Sequence, residues 1–115
     1  MKFSVLVAIV AEELEEKAID TAKKAGAGGV TIVDARGIGA VEKKTFFGLT
    51  YEGAQSILVM VLEKKLSLTV MKRLSQELRL KEDTKGVVFT LPLEHIAGID
   101  LDQVHQFQEH LKETL

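Results

Sequence analysis

The chain has 115 residues, 46% of them apolar and 28% charged; this is the mixture of one folded domain, which at such a size buries only around two thirds of its unfolded surface. A formal net charge of −2 supplies no general basic field, which excludes nucleic acid and an anionic membrane surface from the expected partners. With no cysteine, disulfides, thiolate metal sites and a cysteine nucleophile are excluded, and a cytoplasmic location is the expectation.

The opening MKFSVLVAIVA joins one lysine to an apolar run, as a signal peptide does, but Glu12, Glu13, Glu15 and Glu16 follow at once. Phe3–Val10 is therefore read as a largely buried strand. Glu12–Ala25 reads as a helix: its early glutamates and its late Lys23 and Lys24 suit the two ends of the helix dipole, and Leu14, Ala18, Ala22 and Ala25 form a stripe of mostly small residues. Gly26 stands where a left-handed C-cap is wanted.

Val30–Ala35 is a second strand. The span from Arg36 to about Gly53 has no sustained period and reads as a long loop. Ser56–Leu62 is a third strand, and Ser67 is the expected cap of a second helix with Val70, Met71, Leu74 and Leu78 on one side. Lys81–Lys85 reads as a charged turn and Gly86–Leu91 as a fourth strand ended by Pro92, the chain's only proline. From Asp100, a plausible N-cap, Leu101, Val104, Phe107, Leu111 and Leu115 mark residues 101–115 as an amphipathic helix. No apolar run approaches the roughly 20 residues of a membrane span, so direct insertion is not expected.

The order β-α-β-loop-β-α-β predicts an α+β, ferredoxin-like βαββαβ domain over residues 1–115, with an antiparallel four-stranded sheet, two helices on one face and an additional C-terminal helix. Both sides of the strands are apolar, so the second face also needs cover, from self-association or from the last helix.

The stretch GAGGVTIVDARGIGA, residues 26–40, invites comparison with phosphate loops. Such loops leave a strand and open a helix, whose free N–H groups meet the phosphate. Gly26-Ala27-Gly28-Gly29 has the reverse order and is a helix-to-strand turn. Gly37-Ile38-Gly39 follows a strand and opens the long loop, where glycine permits either a sharp turn or close approach to a ligand.

Three segments resemble one family. Val30-Thr31-Ile32-Val33-Asp34-Ala35-Arg36-Gly37-Ile38-Gly39 looks like a second strand with a Gly-Phe-Gly exit. Tyr51-Glu52-Gly53-Ala54 looks like a Tyr-x-Gly-Ala motif, and Lys85-Gly86-Val87-Val88-Phe89-Thr90-Leu91-Pro92-Leu93-Glu94 looks like an Asp-Gly-Lys-Ile-Phe-x-x-Pro-x-Glu signature. These are marks of the P-II signal-transduction proteins, and with the element order the resemblance covers roughly residues 2–100. It implies a homotrimer that binds nucleotides in the clefts between subunits and docks a long loop, here residues 37–53, onto a partner protein such as a membrane transporter or a metabolic enzyme. On that resemblance Thr31, Gly37, Gly39, Lys85 and Gly86 frame the ligand cleft, with Thr31 near an adenine. Lys43, Lys44, Phe46, Phe47 and Tyr51 lie on the partner-binding loop, and Tyr51 matches a tyrosine that is covalently modified in the family.

The departures fall on charge. The family's Arg-Gln past the second glycine is Ala40-Val41, its turn Asp is Lys85, its phosphate-binding Lys is Val87, and its two late arginines are by position Gly98 and Asp100. A triphosphate depends on charge-assisted bonds worth around 1.5–3 kcal/mol each, so tight ATP binding of the family type is not expected. An adenine nucleotide or another small anion is a candidate ligand, with Lys85 and the loop lysines as remaining cations, and no cofactor is obligatory.

Other chemistry is sparse. His105 and His110 stand five apart, about 140° around a helix, and cannot share one ion; His105 with Glu109 has chelating spacing but reads better as an exposed polar face. His95 follows Glu94 in a segment expected at the intersubunit cleft. No metal site, nucleophile elbow or triad spacing is visible, so catalysis is not expected. The leading expectation is a non-enzymatic regulatory protein that senses a small ligand and reports it through residues 37–53. The alternative is a structural or divalent-metal-tolerance trimer of the same architecture.

Overall fold

A computed structural model describes residues 2–37, 45–46, 49–50, 53–83 and 86–98, with residues 45, 46, 49, 50 and 83 given as backbone only. The chain runs through β1 (Phe3–Ala11), a 3-10 turn (Glu12–Leu14), α1 (Glu15–Lys24), β2 (Thr31–Gly37), β3 (Thr45–Phe46) and β4 (Leu49–Thr50). It continues as β5 (Gly53–Glu63), α2 (Lys64–Glu77), α3 (Leu80–Asp83) and β6 (Gly86–Pro92). Four strands form one antiparallel sheet in the order β2-β5-β1-β6, the ferredoxin-like arrangement expected from the order of elements. The expected C-terminal helix, residues 101–115, lies outside the described residues.

Alternation decides which face of the sheet is the core. Along β1, Ser4, Leu6, Ala8 and Val10 are buried, and along β5 so are Ser56, Leu58, Met60 and Leu62. Paired residues of neighbouring strands point to the same side, and Leu6 pairs with Met60 and Ala8 with Leu58. Against this face pack Ala18 and Ala22 of α1 and Leu66, Val70 and Leu74 of α2. The small residues of α1 let that helix pack against α2, and the larger leucines of α2 fill the space over the sheet.

Several boundaries differ from the sequence reading for identifiable reasons. The first helix opens with a 3-10 turn before its α portion, a common tightening of a helix start. Its end is as expected: with Gly26 at φ +120°, the Ala27 N–H donates to the Ala22 carbonyl at 2.9 Å and the Gly26 N–H to the Lys23 carbonyl at 3.1 Å, the paired bonds of a Schellman cap. The second helix begins earlier than expected and is capped by Glu63, whose carboxylate accepts the N–H groups of Lys65 at 2.8 Å and Leu66 at 3.1 Å. Ser67 is therefore inside the helix, buried, with its hydroxyl donating to the Lys64 carbonyl.

Part of the expected charged turn is the short helix α3, reached through Arg79 in a left-handed conformation at φ +52°. Leu80, just past that turn, is buried and seals the helix end. Within the expected long loop, β3 and β4 pair, with Thr45 opposite Thr50 and Phe46 opposite Leu49. Pro92 ends β6, which is an edge strand, where a missing N–H costs no ladder bond.

Candidate functional site

Two of the expected ligand residues, Gly37 and Gly86, belong to one end of the sheet. Gly37 closes β2 and pairs with Gly53, the first residue of β5; on the far side of β1, Gly86 opens β6 opposite Val10. Three of the four strands thus begin or end on glycine at the same rim. Gly37 and Gly86 are separated by three strand spacings of 4.7–4.9 Å and by a register offset of three residues, roughly 17 Å in all.

These glycines have different physical reasons. Gly53 has φ +99° with open space around the position a Cβ would take, so its conformation demands glycine. Gly86 has an ordinary φ, but an added Cβ would lie 2.7 Å from the Ile9 carbonyl oxygen and 2.9 Å from Val10 Cγ1. It therefore lets β6 meet β1 closely, a packing reason that the sequence did not show. Gly37 is buried at the end of β2.

The rim is tied down by a hydrogen bond that sequence reasoning missed. The buried Ser56 hydroxyl donates to Glu15 Oε1 at 2.7 Å, joining the start of α1 to β5 a few residues from Gly53. On the same layer the buried Thr21 hydroxyl of α1 donates to Glu77 Oε2 of α2 at 3.1 Å. Arg73 also donates to Glu77, from Nη2 to Oε1 at 2.7 Å. The hydrogen bond from Arg73, with that from Thr21 behind it, lowers the Glu77 carboxyl below its ordinary value.

Thr31 is not beside the glycines. It opens β2, exposed and opposite Val59, six residues from Gly37 and so roughly 20 Å away along the strand. One ligand reaching both needs a long shape or surfaces from two copies of the chain. Gly39, Lys43, Lys44, Phe47, Tyr51 and Lys85 lie outside the described residues, and Phe46 is placed only by its backbone in β3. His95 is exposed and lines, with Glu94, a cleft at the other end of the sheet. Among the described residues no group of three or more His, Cys, Asp or Glu residues is arranged to hold a metal ion.

The face of the sheet away from the helices is apolar across all four strands. Phe3, Val5, Val7 and Ile9 of β1 stand beside Ile57, Val59 and Val61 of β5, with Val33 of β2 on one flank and Val87, Phe89 and Leu91 of β6 on the other. Val33, Val61 and Leu91 are 47%, 50% and 53% exposed. A continuous patch of this kind marks an interaction surface rather than an ordinary exterior. No helix among the described residues is long and apolar enough to cross a membrane.

Comparison with known proteins agrees with this architecture. Solved structures of PII-like proteins share the fold. A PII-like signalling protein from Thermus thermophilus is 19% identical, with a TM-score of 0.61 over 81% of this chain and 87% of that one. CPII, a nitrogen regulatory PII-like protein from Thiomonas intermedia, bound to ADP, AMP and bicarbonate, is 22% identical, with a TM-score of 0.64 over 86% and 98% of the two chains. The apo form of CPII is 24% identical, with a TM-score of 0.58 over 81% and 90%. No curated protein sequence matches the chain. The family model described as nitrogen regulatory protein P-II matches residues 3–103, nearly the whole length and every described strand and helix, and the chain belongs to that family.

Proposed function

We propose that this P-II-family chain is a non-enzymatic regulatory subunit that assembles as a homotrimer, senses a small ligand in the clefts between subunits and reports it through residues 37–53 to a partner protein. P-II proteins are generally regulatory, form trimers and bind partner proteins. The observation that carries the reading is the apolar sheet face that no described element covers, which in a second copy of the chain finds a surface of the same chemistry. Assembly through it sets the Thr31 end of one subunit near other subunits and removes the difficulty that Thr31 and Gly37 lie far apart within one chain.

The ligand proposed is an adenine nucleotide with fewer phosphates than ATP, or bicarbonate, the kinds of molecule bound to CPII. The charge argument favours them: Val87, Gly98 and Asp100 offer no cation where the family's Lys and arginines stand, and each phosphate removed lowers the charge to be matched. Lys85 and the loop residues Lys43 and Lys44 are the cations left to meet an anion, and Gly37, Gly39 and Gly86 let the backbone approach it. Phe46, Phe47 and Tyr51 supply the aromatic surface for a partner, which by analogy with the family is a membrane transporter or a metabolic enzyme in the cytoplasm.

The mechanism is a shift between loop arrangements, which requires that the ligand bind one of them more tightly than the other. Limited trypsin digestion tests it by following cleavage after Lys43 and Lys44. With ADP, AMP or bicarbonate present, cleavage there is expected to slow severalfold relative to cleavage elsewhere. Digestion indifferent to all three would count against the proposal.

A further inference from the structure

Charge is spread unevenly along the chain. Of its 15 basic residues six fall within 64–81, namely Lys64, Lys65, Lys72, Arg73, Arg79 and Lys81, against one of its 17 acidic residues, Glu77. A protein of net charge −2 thus carries one basic element, α2 with the turn that follows it. Its single acid is engaged, because Glu77 accepts from both Arg73 and Thr21.

Burial fixes which side of α2 this charge faces. Leu66, Val70 and Leu74 are buried against the sheet, whereas Lys65, Leu68, Thr69, Lys72 and Gln76 are exposed. The exposed residues recur three and four apart, so they form one stripe on the side turned from the core. Lys65 and Lys72 are two turns apart on it, about 10.5 Å along the axis. Neither ammonium has an ion-pair partner among the described residues. Between them Leu68 is 43% exposed, an apolar centre with a cation on either side. The stripe is also narrow: α1 alongside exposes Glu16 and Asp20, and α3 exposes Glu82. A broad polyanion such as a lipid headgroup plane or a nucleic-acid duplex meets those carboxylates as well as the lysines, whereas a single helix laid along α2 meets the lysines alone.

We propose that this stripe of α2 docks an acidic amphipathic helix of a partner protein, with carboxylates two turns apart at Lys65 and Lys72 and an apolar side chain between them on Leu68. The apolar contact supplies the centre of the interface, and the charges set its orientation and register. The stripe points away from the sheet, so it stays outward when the apolar sheet face is buried in an assembly. It is separate from residues 37–53 and needs no ligand at the glycine rim. Both lysines are exposed, so the attraction weakens as salt rises.

Amide chemical-shift titration of the full chain tests this with a helical probe peptide of repeated Glu-Gln-Ala-Leu-Gln-Ala-Ala heptads, which sets carboxylates at the required spacing. The peptide is expected to move the amides of Lys65, Leu68 and Lys72 with millimolar or better affinity. The same peptide with Lys for Glu is expected not to bind, and the one with Ala for Leu to bind severalfold more weakly. The double variant Lys65→Glu, Lys72→Glu changes two exposed positions; it is expected to keep its helical circular dichroism, lose the acidic peptide and gain the lysine peptide. Lys2→Glu with Lys23→Glu makes the same change in net charge away from the stripe and is expected to leave the acidic peptide bound. Acidic-peptide binding that survives the α2 double variant, or that is lost equally in the control, would overturn the proposal. So would phosphatidylcholine–phosphatidylglycerol vesicles or a DNA duplex moving the same amides more strongly than the peptide does. Association of copies at low salt that buries these amides would assign the stripe to a second copy of the chain and overturn it as well.

Discussion

At Gly86 the two strands approach so closely that a single methyl group would sit 2.7 Å from a backbone oxygen, which cannot swing away as a flexible side chain can. Gly86→Ala is therefore expected to cost about 1–3 kcal/mol in urea unfolding, the usual range for overpacking. Gly28→Ala, where nothing lies within 4 Å, should stay within about 0.5 kcal/mol of the parent. The same scale governs the ligand argument. Val87 is half-buried in β6 beside Ile9 on the open sheet face, and in the sequence resemblance it falls where the family has a phosphate-binding lysine. Val87→Lys restores one cation, and isothermal titration is expected to show ATP binding about tenfold tighter than in the parent, the lower end of one charge-assisted bond. An unchanged ATP affinity would mean that the missing lysine is not what limits the triphosphate.

Among the elements, the two helices are held to the sheet and to one another by buried hydroxyls as well as by apolar contact. Thr21 of α1 reaches Glu77 of α2, and Arg73 holds the same carboxylate from the next turn. Because the folded protein lowers the Glu77 carboxyl, the stability this group contributes is present above its unfolded value and is lost as pH falls through the lowered folded one. Urea midpoints should therefore drop on acidification in that acidic window, and Glu77→Gln should flatten the drop. The effect is small, because Glu77 is partly exposed and water screens the pair. Ser56→Ala should cost about 1 kcal/mol, the net worth of one hydrogen bond, and loosen the start of α1.

These contacts also mark how far the elements were legible in the sequence. Strand and helix periodicities fixed the element order and hence the sheet, because buried leucines and valines recur at the spacing each element imposes. The cap of α2 was misplaced at Ser67 because small hydroxyl residues are the usual N-caps, whereas Glu63 is longer and reaches the same N–H groups. Ser56 and Glu15 are 41 residues apart and Thr21 and Glu77 are 56 apart. Such pairs follow from tertiary register, which no local pattern encodes. The glycines of the candidate site were visible as letters, but that Gly86 serves packing and Gly53 backbone conformation is decided only by the neighbouring strands.

For the whole molecule the central fact is a ferredoxin-like sheet with helices on one face and an apolar surface on the other that no described element covers. Val5 lies at the middle of that surface between Val61 and Leu91. Val5→Lys should be tolerated by a single subunit, where the ammonium reaches water, and should disrupt an assembly that buries it unpaired. Size-exclusion chromatography is expected to show the variant at one third of the parent's mass with its helical circular dichroism retained. The most direct test is native mass spectrometry of the parent protein at micromolar concentration, with and without ADP. A species of three times the 12.7 kDa chain mass that takes up ADP without dissociating is expected. A single 12.7 kDa species under both conditions would contradict it.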